Sequence, residues 1–577
     1  MERKLGTSRK KTFIRILFSQ KMQTFFLFFS LLFLSVFAPL KSFVLQWLLD
    51  STSRGDALLN LFWGIMVVAF SHLFEYTGRN AFSKLSTSAI GDIRRFLTDK
   101  LTNMSLCEYI QKGPETWFSG MTNDLQVINE DYYNKIFDAL FWGGVGAVAV
   151  VYMAVISPVL LAVSLLLSAL PFIAPKVLSP YLSKKKNLLS QSTARYYSIV
   201  NESLHGYETT LMNNRKPFLK ERLEAVSKEN LDLNYKMRKV SNISSIVTSL
   251  IAWIPGFLVL VIGVFLVFDG KITIGYLVTA NSLINFIIAP FRNVANSYLS
   301  IKGTVDIRKR VESLINYAVD ESTDLVSINH FERIDVQDLC FSYPNSENKI
   351  LKNFRFKIQK GDKIAIVGSS GCGKSTFLKL LCKFYNFSDG TIQVNGIDIK
   401  RIEAVSYYNC IAYIPQDPFI FEDTLKNNIS LGKSYPEERI LEVLSLVGLS
   451  DYVHLLPDGL ETVLTEQGQN ISGGQKKRIA VARALIRNCS MLVIDEATSS
   501  LDTKSTNSMV QWLLSLPCTI VMVTHDIFDS YMDGFTQIYY LANGETLEAG
   551  TYDDLMNKKG EFYNIKEAMS KNNTSAG

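Results

Sequence analysis

One segment of the chain combines glycines, a lysine and two hydroxyls at a fixed spacing, GSSGCGKST at residues 368–376. The spacing fits the pattern G-x-x-x-x-G-K-[ST], in which backbone N–H groups converge on phosphate oxygens. The run KIAIV before it predicts a buried strand, and an apolar helical pattern follows, so a helix amino terminus adds positive potential. The candidate phosphate-binding residues are Gly368, Ser369, Ser370, Gly371, Cys372, Gly373, Lys374, Ser375 and Thr376. Lys374 is expected to reach the β and γ phosphates of a nucleotide, and Ser375 to ligate Mg²⁺.

A second segment, SMLVIDEATSSLD, predicts another buried strand that ends in the pair Asp495-Glu496. A carboxylate at a strand end can hold Mg²⁺, and its neighbour can polarise an attacking water molecule. We assign Asp495 to the metal and Glu496 to the general base. Such a pair is commonly only a solvated turn, and it becomes a catalytic candidate because the phosphate-binding segment accompanies it.

Three single residues complete the candidate site. Gln416, in YIPQDPFIF, can ligate Mg²⁺ and sense the γ phosphate, and His525, after the apolar run VMV, can hold that phosphate. Tyr343, in FSYP, can stack on adenine. The predicted catalytic set is Glu496, His525 and Lys374, and the predicted Mg²⁺ ligands are Ser375, Gln416 and Asp495.

The octapeptide ISGGQKKR, residues 471–478, contains no cysteine, histidine or carboxylate and occurs once in the chain. Its hydroxyl and glycine N–H groups can donate to a phosphate, and the periodic stretch RIAVARALI after it predicts a helix whose amino terminus strengthens that field. The cations Lys476, Lys477 and Arg478 are expected to form a solvated helix face.

The elements that position these residues lie in a chain of two unlike halves. The 577 residues are 47% hydrophobic, and the apolar runs concentrate before about residue 300. The net charge of +6 is mild and forms no basic stripe, so no nucleic-acid partner is expected. The seven cysteines form no CxxC pair, so we expect free thiols and no zinc site.

About six segments are apolar for roughly 18 residues or more, enough to span a bilayer. The first run, residues 25–49, is too long for a signal peptide, and only Ser157-Pro158 separates the third from the fourth. The segments centre near Leu32, Val67, Val148, Leu165, Leu258 and Ile284.

The loops between these segments alternate between short and long. Residues 50–56 and 269–271 form short loops, while two long gaps carry apolar residues at helical spacing and predict pairs of antiparallel helical arms. Lysines and arginines concentrate in the long gaps and the amino-terminal tail, which places both termini in the cytosol.

Four polar residues fall within the predicted spans. His72 and Glu75 lie late in the second span, and Asn281 and Asn285 lie one helical turn apart in the sixth. Polar groups in hydrocarbon usually face a cavity or a partner, so these residues are candidates for contact with cargo. An interhelical hydrogen bond, or a position already at the lipid surface, is the alternative for each.

The order of Tyr343, GSSGCGKST, Gln416, ISGGQ, VIDEATSSLD and His525 resembles the nucleotide-binding domain of ATP-binding cassette (ABC) transporters. The amino-terminal half resembles the six-helix domain of bacterial half-size ABC exporters. The resemblance implies a multidomain fold, in which an all-α six-helix transmembrane domain precedes an α/β P-loop ATPase domain. We expect the transmembrane domain at residues 1–302, a linker at 303–333, the nucleotide-binding domain at 334–568 and a disordered tail at 569–577.

The resemblance also implies that two cassettes stack head to tail around ATP and Mg²⁺. The residues expected to contact the partner's ATP are Ser472, Gly473, Gly474 and Gln475. Asp502 would lie across the interface, and Glu466 would stand in a loop that touches the membrane-domain arms. Coupling helices are expected near residues 115–120 and 203–210.

The segment ISGGQ, residues 471–475, matches the signature of this family. Because the chain has both Glu496 and this signature, we expect a homodimer with two working sites, and a heterodimer with a paralogue is the alternative. The function implied is ATP-driven export of a peptide, drug or lipid across the plasma membrane, with the surrounding lipids as further partners. The alternatives are an ABC-type sensor whose ATP cycle signals, and a siderophore-type importer built on the exporter fold. The membrane spans disfavour a soluble ABC ATPase.

Overall fold

The structure, a computed structural model, describes residues 13–168, 173–315, 325–343, 346, 348–464, 471–496, 503–525, 527 and 529–574. The chain divides into two compact units. The helical unit comprises Met1–Thr102 and Glu115–Tyr317, and the α/β unit comprises Asn103–Pro114 and Ala318–Gly577. A short piece of the amino-terminal half therefore belongs with the carboxyl-terminal unit.

Fourteen helices are described before the first strand. They are α1 (Phe13–Leu17), α2 (Lys21–Leu40), α3 (Phe43–Leu49), α4 (Arg54–Asn103), α5 (Leu106–Lys112), α6 (Pro114–Met121), α7 (Asn123–Val127), α8 (Asn134–Ile156), α9 (Pro158–Leu167), α10 (Ile173–His205), α11 (Tyr207–Met212), α12 (Lys216–Phe268), α13 (Ile274–Gly303) and α14 (Val305–Ile315). A π-helical turn, Ile128–Tyr133, joins α7 to α8.

Five of the predicted membrane spans correspond to segments that are long and apolar enough to cross a bilayer. Among the described residues these are Lys21–Leu49, Arg54–Asn103, Pro114–Ile156, Lys216–Phe268 and Ile274–Gly303. The fourth predicted span falls on the shorter apolar helix α9, and residues 169–172 after it lie outside the described part. The predicted boundary before α9 is confirmed, because Ser157 caps the helix with its hydroxyl and Pro158 occupies the first turn.

The helices that border the long gaps extend into them as arms. Helix α4 has 50 residues and α12 has 53, so each runs about 75 to 80 Å at 1.5 Å per residue, far beyond the hydrocarbon thickness of about 30 Å. Helix α10 packs along α12, which gives the antiparallel pair that the second gap predicts.

Small residues bring α8 and α13 together in the helical unit. Gly146 of α8 lies so close to α13 that a Cβ atom there would stand 2.7 Å from Cγ of Pro290. The core around this crossing includes Ala149, Met153 and Leu283, all fully buried. Close packing of backbones through small residues is the usual way in which helices associate in a membrane.

Two arginines of α14 contact the segment around the π-helical turn. Arg310 forms a bidentate pair of hydrogen bonds with the carboxylate of the buried Asp124, with Nε 2.7 Å from Oδ2. The Arg308 guanidinium lies 4.1 Å from the ring centroid of Tyr132. These contacts hold the first part of the expected linker, residues 305–315, as a helix within the helical unit.

The described part of the α/β unit contains ten strands in two sheets. A four-stranded antiparallel sheet has the order β2-β1-β4-β5, and a six-stranded sheet has the order β10-β9-β3-β8-β7-β6 with parallel pairing from β9 to β6. The strands are β1 (Arg333–Phe341), β2 (Leu351–Gln359), β3 (Lys363–Gly368), β4 (Asp389–Val394), β5 (Ile397–Asp398), β6 (Ile411–Ile414), β7 (Met491–Asp495), β8 (Thr519–Val523), β9 (Gln537–Ala542) and β10 (Glu545–Gly550).

The three strands that the sequence predicts next to the candidate site lie side by side in the six-stranded sheet. Every residue of β7 and of β8 is buried, and so is every residue of β3 after Lys363. Such continuous burial is typical of parallel strands covered on both faces, and it explains why they appear as unbroken apolar runs. Because parallel strands end at one edge, the loops after β3, β7 and β8 meet there.

Helices surround this sheet. They are α15 (Lys374–Leu381), α16 (Ala404–Cys410), α17 (Leu425–Ser430), α18 (Glu437–Leu446), α19 (Ser450–Leu455), α20 (Gly473–Leu485), α21 (Thr503–Ser515), α22 (Asp529–Met532), α23 (Tyr552–Lys558) and α24 (Glu561–Thr574), with 3₁₀ turns at Ile399–Arg401 and Gly459–Glu461. Helix α24 includes residues 569–574, which the sequence analysis assigns to a disordered tail.

Helix α5 lies just before the expected first coupling segment, whose role stays a prediction. The residues that cluster with the α/β unit are Asn103–Pro114, whereas the expected segment, 115–120, begins the next stretch of the helical unit. Ser105 and Glu108 form a capping box that starts α5, and the buried Cys107 lies against the backbone of Asn386. Pro114 opens α6, the helix that contains the expected segment. The second expected coupling segment overlaps α11, and its role stays a prediction.

Candidate functional site

The phosphate-binding loop connects β3 to α15, as its sequence predicts. Gly373, the residue before α15, adopts a left-handed conformation with φ of 107°, and a Cβ there would lie 2.7 Å from Leu351 Cδ2. A residue other than glycine would therefore be both strained and crowded. The loop reaches the amino terminus of α15 in the arrangement that suits an anion.

Lys374 is folded back into this loop. Its Nζ donates to the carbonyl oxygens of Gly368 and Ser369, at 2.8 Å each. The side chain is buried, and burial lowers the pKa of its ammonium group, while nearby Cys372, Glu496 and Asp495 act in the opposite direction. In this conformation the ammonium group is bonded to loop carbonyls, and it would have to leave them to bind a phosphate.

Asp495 and Ser375 meet at the end of β7. The Ser375 hydroxyl donates to Asp495 Oδ1 at 2.8 Å, and the Tyr413 hydroxyl donates to Oδ2 at 3.1 Å. Burial, and then the negative charge of Asp495, raise the pKa of Tyr413 far above its ordinary value, so the phenol stays a donor. A carboxylate and a hydroxyl at this distance are hard oxygen donors of the kind that Mg²⁺ prefers, so the pair fits the predicted metal.

Glu496 is held on both sides of its carboxylate. Gln416 Nε2 donates to Oε2 at 2.6 Å, and His525 Nε2 lies 2.7 Å from Oε1. The backbone of Glu496 is left-handed, with φ of 53°, a conformation that costs a residue other than glycine about 1–3 kcal/mol. Strain of this kind persists where surrounding contacts impose it, and it concentrates at functional sites.

The structure brings most of the predicted site together around one cavity of about 290 Å³. Tyr343 stands at its wall, where the hydroxyls of Tyr343 and Thr376 are 3.0 Å apart. Gln416 donates a hydrogen bond to Glu496, the predicted base. Among the described residues it makes no hydrogen bond with Ser375 or Asp495, the other predicted Mg²⁺ ligands. The lining residues are Tyr343, Ile350, Ser370, Gly371, Gly373, Lys374, Ser375, Thr376, Glu496 and His525.

The signature residues form the amino-terminal cap of α20. The Ser472 hydroxyl accepts from Gln475 N–H at 3.2 Å, and Gln475 Oε1 accepts from Ser472 N–H at 2.8 Å. Ile471 is buried in the core, as expected for its apolar position. Among the described residues, none from 472 to 475 lines the cavity around Lys374.

The prediction of a solvated cationic face on α20 is wrong for two of its three residues. Lys477 is only 5% exposed. Its Nζ donates to the carbonyl oxygen of Glu496 at 3.2 Å. Arg478 donates to Val447 O and lies over the Trp512 ring. The helical period of the apolar residues could not reveal these partners, because they are distant in sequence.

The sequence patterns do not indicate the roles of Tyr413 and Arg483, nor that of Lys477. Arg483 donates to Phe419 O at 2.6 Å and to Asn428 Oδ1 at 2.9 Å, and burial lowers its pKa to about 10. It thereby holds the loop that follows Gln416 against α20. The sequence signal for these two residues is their closeness to predicted site residues. Tyr413 stands three residues before Gln416, and Arg483 lies on the apolar helix after the signature.

The four candidate cargo residues lie in the helical unit, on two helices. His72 and Glu75 share a face of α4 with Arg79, and the Arg79 guanidinium lies 3.1 Å from Glu75 Oε1. His72 stands about 27 Å along α4 from its start, near the end of a hydrocarbon layer of about 30 Å. Asn281 is half-buried and Asn285 is exposed on α13, and neither makes a side-chain hydrogen bond within the described residues.

Two further predicted positions, Glu466 and Asp502, lie outside the described residues. The roles assigned to the site residues stay predictions, although the geometry assembles the nucleotide-site residues that it describes.

Comparison with protein-family models matches both halves of the chain. The model described as the ABC transporter transmembrane region matches residues 22–291. The model described as ABC transporter matches residues 351–499, which include the phosphate loop, the signature and Glu496.

Curated relatives and a solved structure align over nearly the whole chain. The lactococcin-G-processing and transport ATP-binding protein LagD of Lactococcus lactis subsp. lactis is 29% identical over 575 residues, 96% of this chain and 79% of that protein. The ATP-dependent lipid A-core flippase of Pseudomonas fluorescens (strain Pf0-1) is 26% identical over 91% of this chain and 90% of its own length. A bacterial Atm1-family ABC exporter with ATP bound superposes with a TM-score of 0.78 at 20% identity, covering 97% of this chain and 99% of that one.

Proposed function

The chain belongs to the ATP-binding cassette transporter family, as a half-size exporter, and from that premise we propose that it works as a homodimer exporting an amphipathic peptide, drug or lipid. It is a multi-pass membrane protein that binds ATP and couples ATP hydrolysis to transport. The comparisons do not favour the sensor or the importer.

The observation that supports the ATP chemistry is the arrangement around Glu496. Its carboxylate lies between Gln416 and His525 at the wall of the cavity that contains Lys374. In the proposed reaction Glu496 polarises the attacking water, His525 binds the γ phosphate, and Lys374 leaves its loop carbonyls to bind the phosphates. Ser375 and Asp495 would hold Mg²⁺, which would supply charge neutralisation on the phosphates.

The proposed pairing rests on the position of the signature. Ser472 and Gln475 cap α20 and do not line the cavity around Lys374 within the described chain. The Ser472 hydroxyl accepts within the cap, so its O–H can donate to a nucleotide held by another subunit, in agreement with a head-to-tail pair. Because this chain has both a complete set around Glu496 and a complete signature, a second copy provides two equivalent sites, and a paralogue is the alternative partner.

The proposed cargo class follows from the helical unit. A cavity of about 560 Å³ lies between α8 and α13, and its described lining residues include no charged side chain. Its walls include Gly146, Pro290, Phe291 and Tyr298. An apolar wall with one phenol suits a molecule with a large apolar part, which peptides, drugs and lipids can all provide. The two relatives are named for lactococcin G and for lipid A-core, in agreement with a peptide or a lipid.

The proposed orientation places the long extensions of α4, α10 and α12, together with both termini, in the cytoplasm and the spans in the plasma membrane. Lysines and arginines concentrate in these extensions, while the outer loops are short.

The test is ATP-dependent accumulation in inside-out vesicles or proteoliposomes that contain the full chain. Three probes represent the cargo classes: an amphipathic peptide, a cationic amphipathic dye and a fluorescent phospholipid. We expect at least one probe to accumulate or flip with ATP and to stimulate hydrolysis. ATP hydrolysis without transport of any probe would contradict the cargo class, and absence of hydrolysis would contradict the ATPase assignment.

A further inference from the structure

Lys477 is a buried lysine that connects the signature helix to the predicted general base. It lies on α20, two residues beyond Gln475, and its Nζ donates to the carbonyl oxygen of Glu496 at 3.2 Å. The side chain is 5% exposed, which is unusual for lysine unless polar partners surround it. It does not line the cavity around Lys374 among the described residues.

The charges that face Lys477 come from the two loops at the end of the sheet. Burial lowers the pKa of its ammonium group, and the nearby carboxylates of Glu496 and Asp417 oppose that effect. Asp417 follows Gln416 after β6, and Glu496 follows β7. Lys477 thus bonds to the loop that provides Glu496 and lies near the charge of Asp417, beside the side chain that holds Glu496.

The backbone of Glu496 makes such support necessary. Its left-handed φ of 53° is a conformation that a glutamate rarely adopts without constraint. Gln416 and His525 contact the carboxylate, whereas Lys477 contacts the peptide carbonyl, so the three contacts fix both ends of the residue. Loss of the backbone contact would let the peptide relax and displace the carboxylate from the cavity.

We propose that Lys477 is a positioning residue for ATP hydrolysis, which holds the Glu496 peptide so that its carboxylate faces the nucleotide. Lys477 acts through Glu496 and does not touch ATP. The proposal rests on the assignment of Glu496 as the base. Because α20 begins beside Ser472, one helix then carries both the donors for the partner's ATP and the support for the base in its own subunit.

The experiment measures steady-state ATP hydrolysis by the full chain in lipid. Lys477→Met removes the charge and the donor but keeps an unbranched side chain. We expect kcat to fall about 10- to 100-fold, because a displacement of about 1 Å at a reacting group costs up to about 100-fold. The KM for ATP and the dissociation constant of a fluorescent ATP analogue should change less than about threefold, a separation that general destabilisation would not produce.

Two variants of matched length refine the result. Lys477→Gln keeps a neutral donor and should recover most of the lost kcat, while Lys476→Met, on the neighbouring lysine that the site does not use, should stay within about twofold of wild type. A kcat for Lys477→Met within about twofold of wild type, a loss confined to KM, or no recovery in Lys477→Gln would overturn the proposal.

Glu496→Gln in the same assay separates the two assignments. If that variant keeps turnover, the base assignment fails; if it loses turnover and Lys477→Met does not, only the role of Lys477 fails. If Lys477→Met does not fold, Lys477→Arg and Lys477→Gln replace it, because both keep a donor. A near-wild-type kcat for Lys477→Arg with a lower kcat for the shorter, uncharged Lys477→Gln then supports the role, and a wild-type kcat in both contradicts it.

Discussion

The α/β unit keeps key polar groups of its site buried at one edge of the sheet, whereas two of the four candidate cargo residues of the helical unit, His72 and Asn285, are exposed. Asp495 is 7% exposed and Lys374 is 4% exposed, and each has fixed partners. The side chain of His72 is 65% exposed, and its neighbour Arg79 is 56% exposed. Chemistry requires groups held in one geometry, while the helical unit is held together by close packing of small and apolar residues.

This difference predicts that substitutions in the two units produce different deficits. In the α/β unit a conservative change should reduce turnover and leave the fold intact. In the helical unit a comparable change should lower the melting temperature and leave the ATP chemistry intact. The following predictions test that separation.

The largest effect is expected for Glu496→Gln. The amide can keep contacts with Gln416 and His525 but cannot accept a proton, so kcat for ATP hydrolysis should fall by at least about 100-fold. ATP should still bind, and the paired state should accumulate, which cross-linking of the purified protein would detect. ATPase activity like that of wild type in this variant would contradict the assignment of Glu496 as the general base.

Ser472→Ala in one half of a covalently linked dimer should impair one site. The expected result is roughly a tenfold loss at the site whose phosphate loop belongs to the other half, because one donor to the phosphate is removed there. A loss of about 1 kcal/mol from the missing cap of α20 is expected in addition. Labelling with an azido-ATP analogue, followed by cleavage between the halves, identifies the affected site. Impairment of the site within the same half would contradict the paired arrangement.

Arg310→Met should destabilise the helical unit by about 1–3 kcal/mol, because it leaves the buried carboxylate of Asp124 without its partner. The lower end of this range is expected, since the guanidinium side chain is 48% exposed and therefore screened. The melting temperature in detergent measures the effect. Lys309→Met, an exposed neighbour on α14, is the control.

The same contact allows a double-substitution test. Asp124→Asn combined with Arg310→Met should recover part of the loss, because a neutral amide does not need the guanidinium. Equal melting temperatures for the Arg310 and Lys309 variants would show that the contact contributes nothing.

Gly146→Ala should cost about 1–2 kcal/mol, because the new methyl group would lie 2.7 Å from Pro290 Cγ and 2.8 Å from its Cβ. Gly143→Ala on the same helix is the matched control, since a Cβ there meets nothing within 4 Å. Basal kcat should be unchanged in both. If the two alanine variants have the same melting temperature, α8 and α13 do not pack through Gly146.

Much of the α/β unit follows from local patterns. The three apolar runs become β3, β7 and β8, and the sheet brings their loops to one edge, where Lys374, Asp495, Glu496 and His525 meet. Local periodicity also predicts the extensions of α10 and α12 and the boundary at Ser157. These features depend on neighbours in sequence or on the regular pairing of strands, so residue patterns contain them.

The sequence by itself determined which side chains are available for chemistry, because the phosphate loop and the Asp495-Glu496 pair lie on short segments whose conformation is set locally. Only the tertiary structure decided that Lys477 is buried against Glu496, that Tyr413 bonds to Asp495, and that α5 joins the α/β unit. Each of these contacts joins residues far apart in the chain. Their free energy comes from burial and hydrogen bonding, which depend on what the fold places nearby and leave no periodic signal in the sequence.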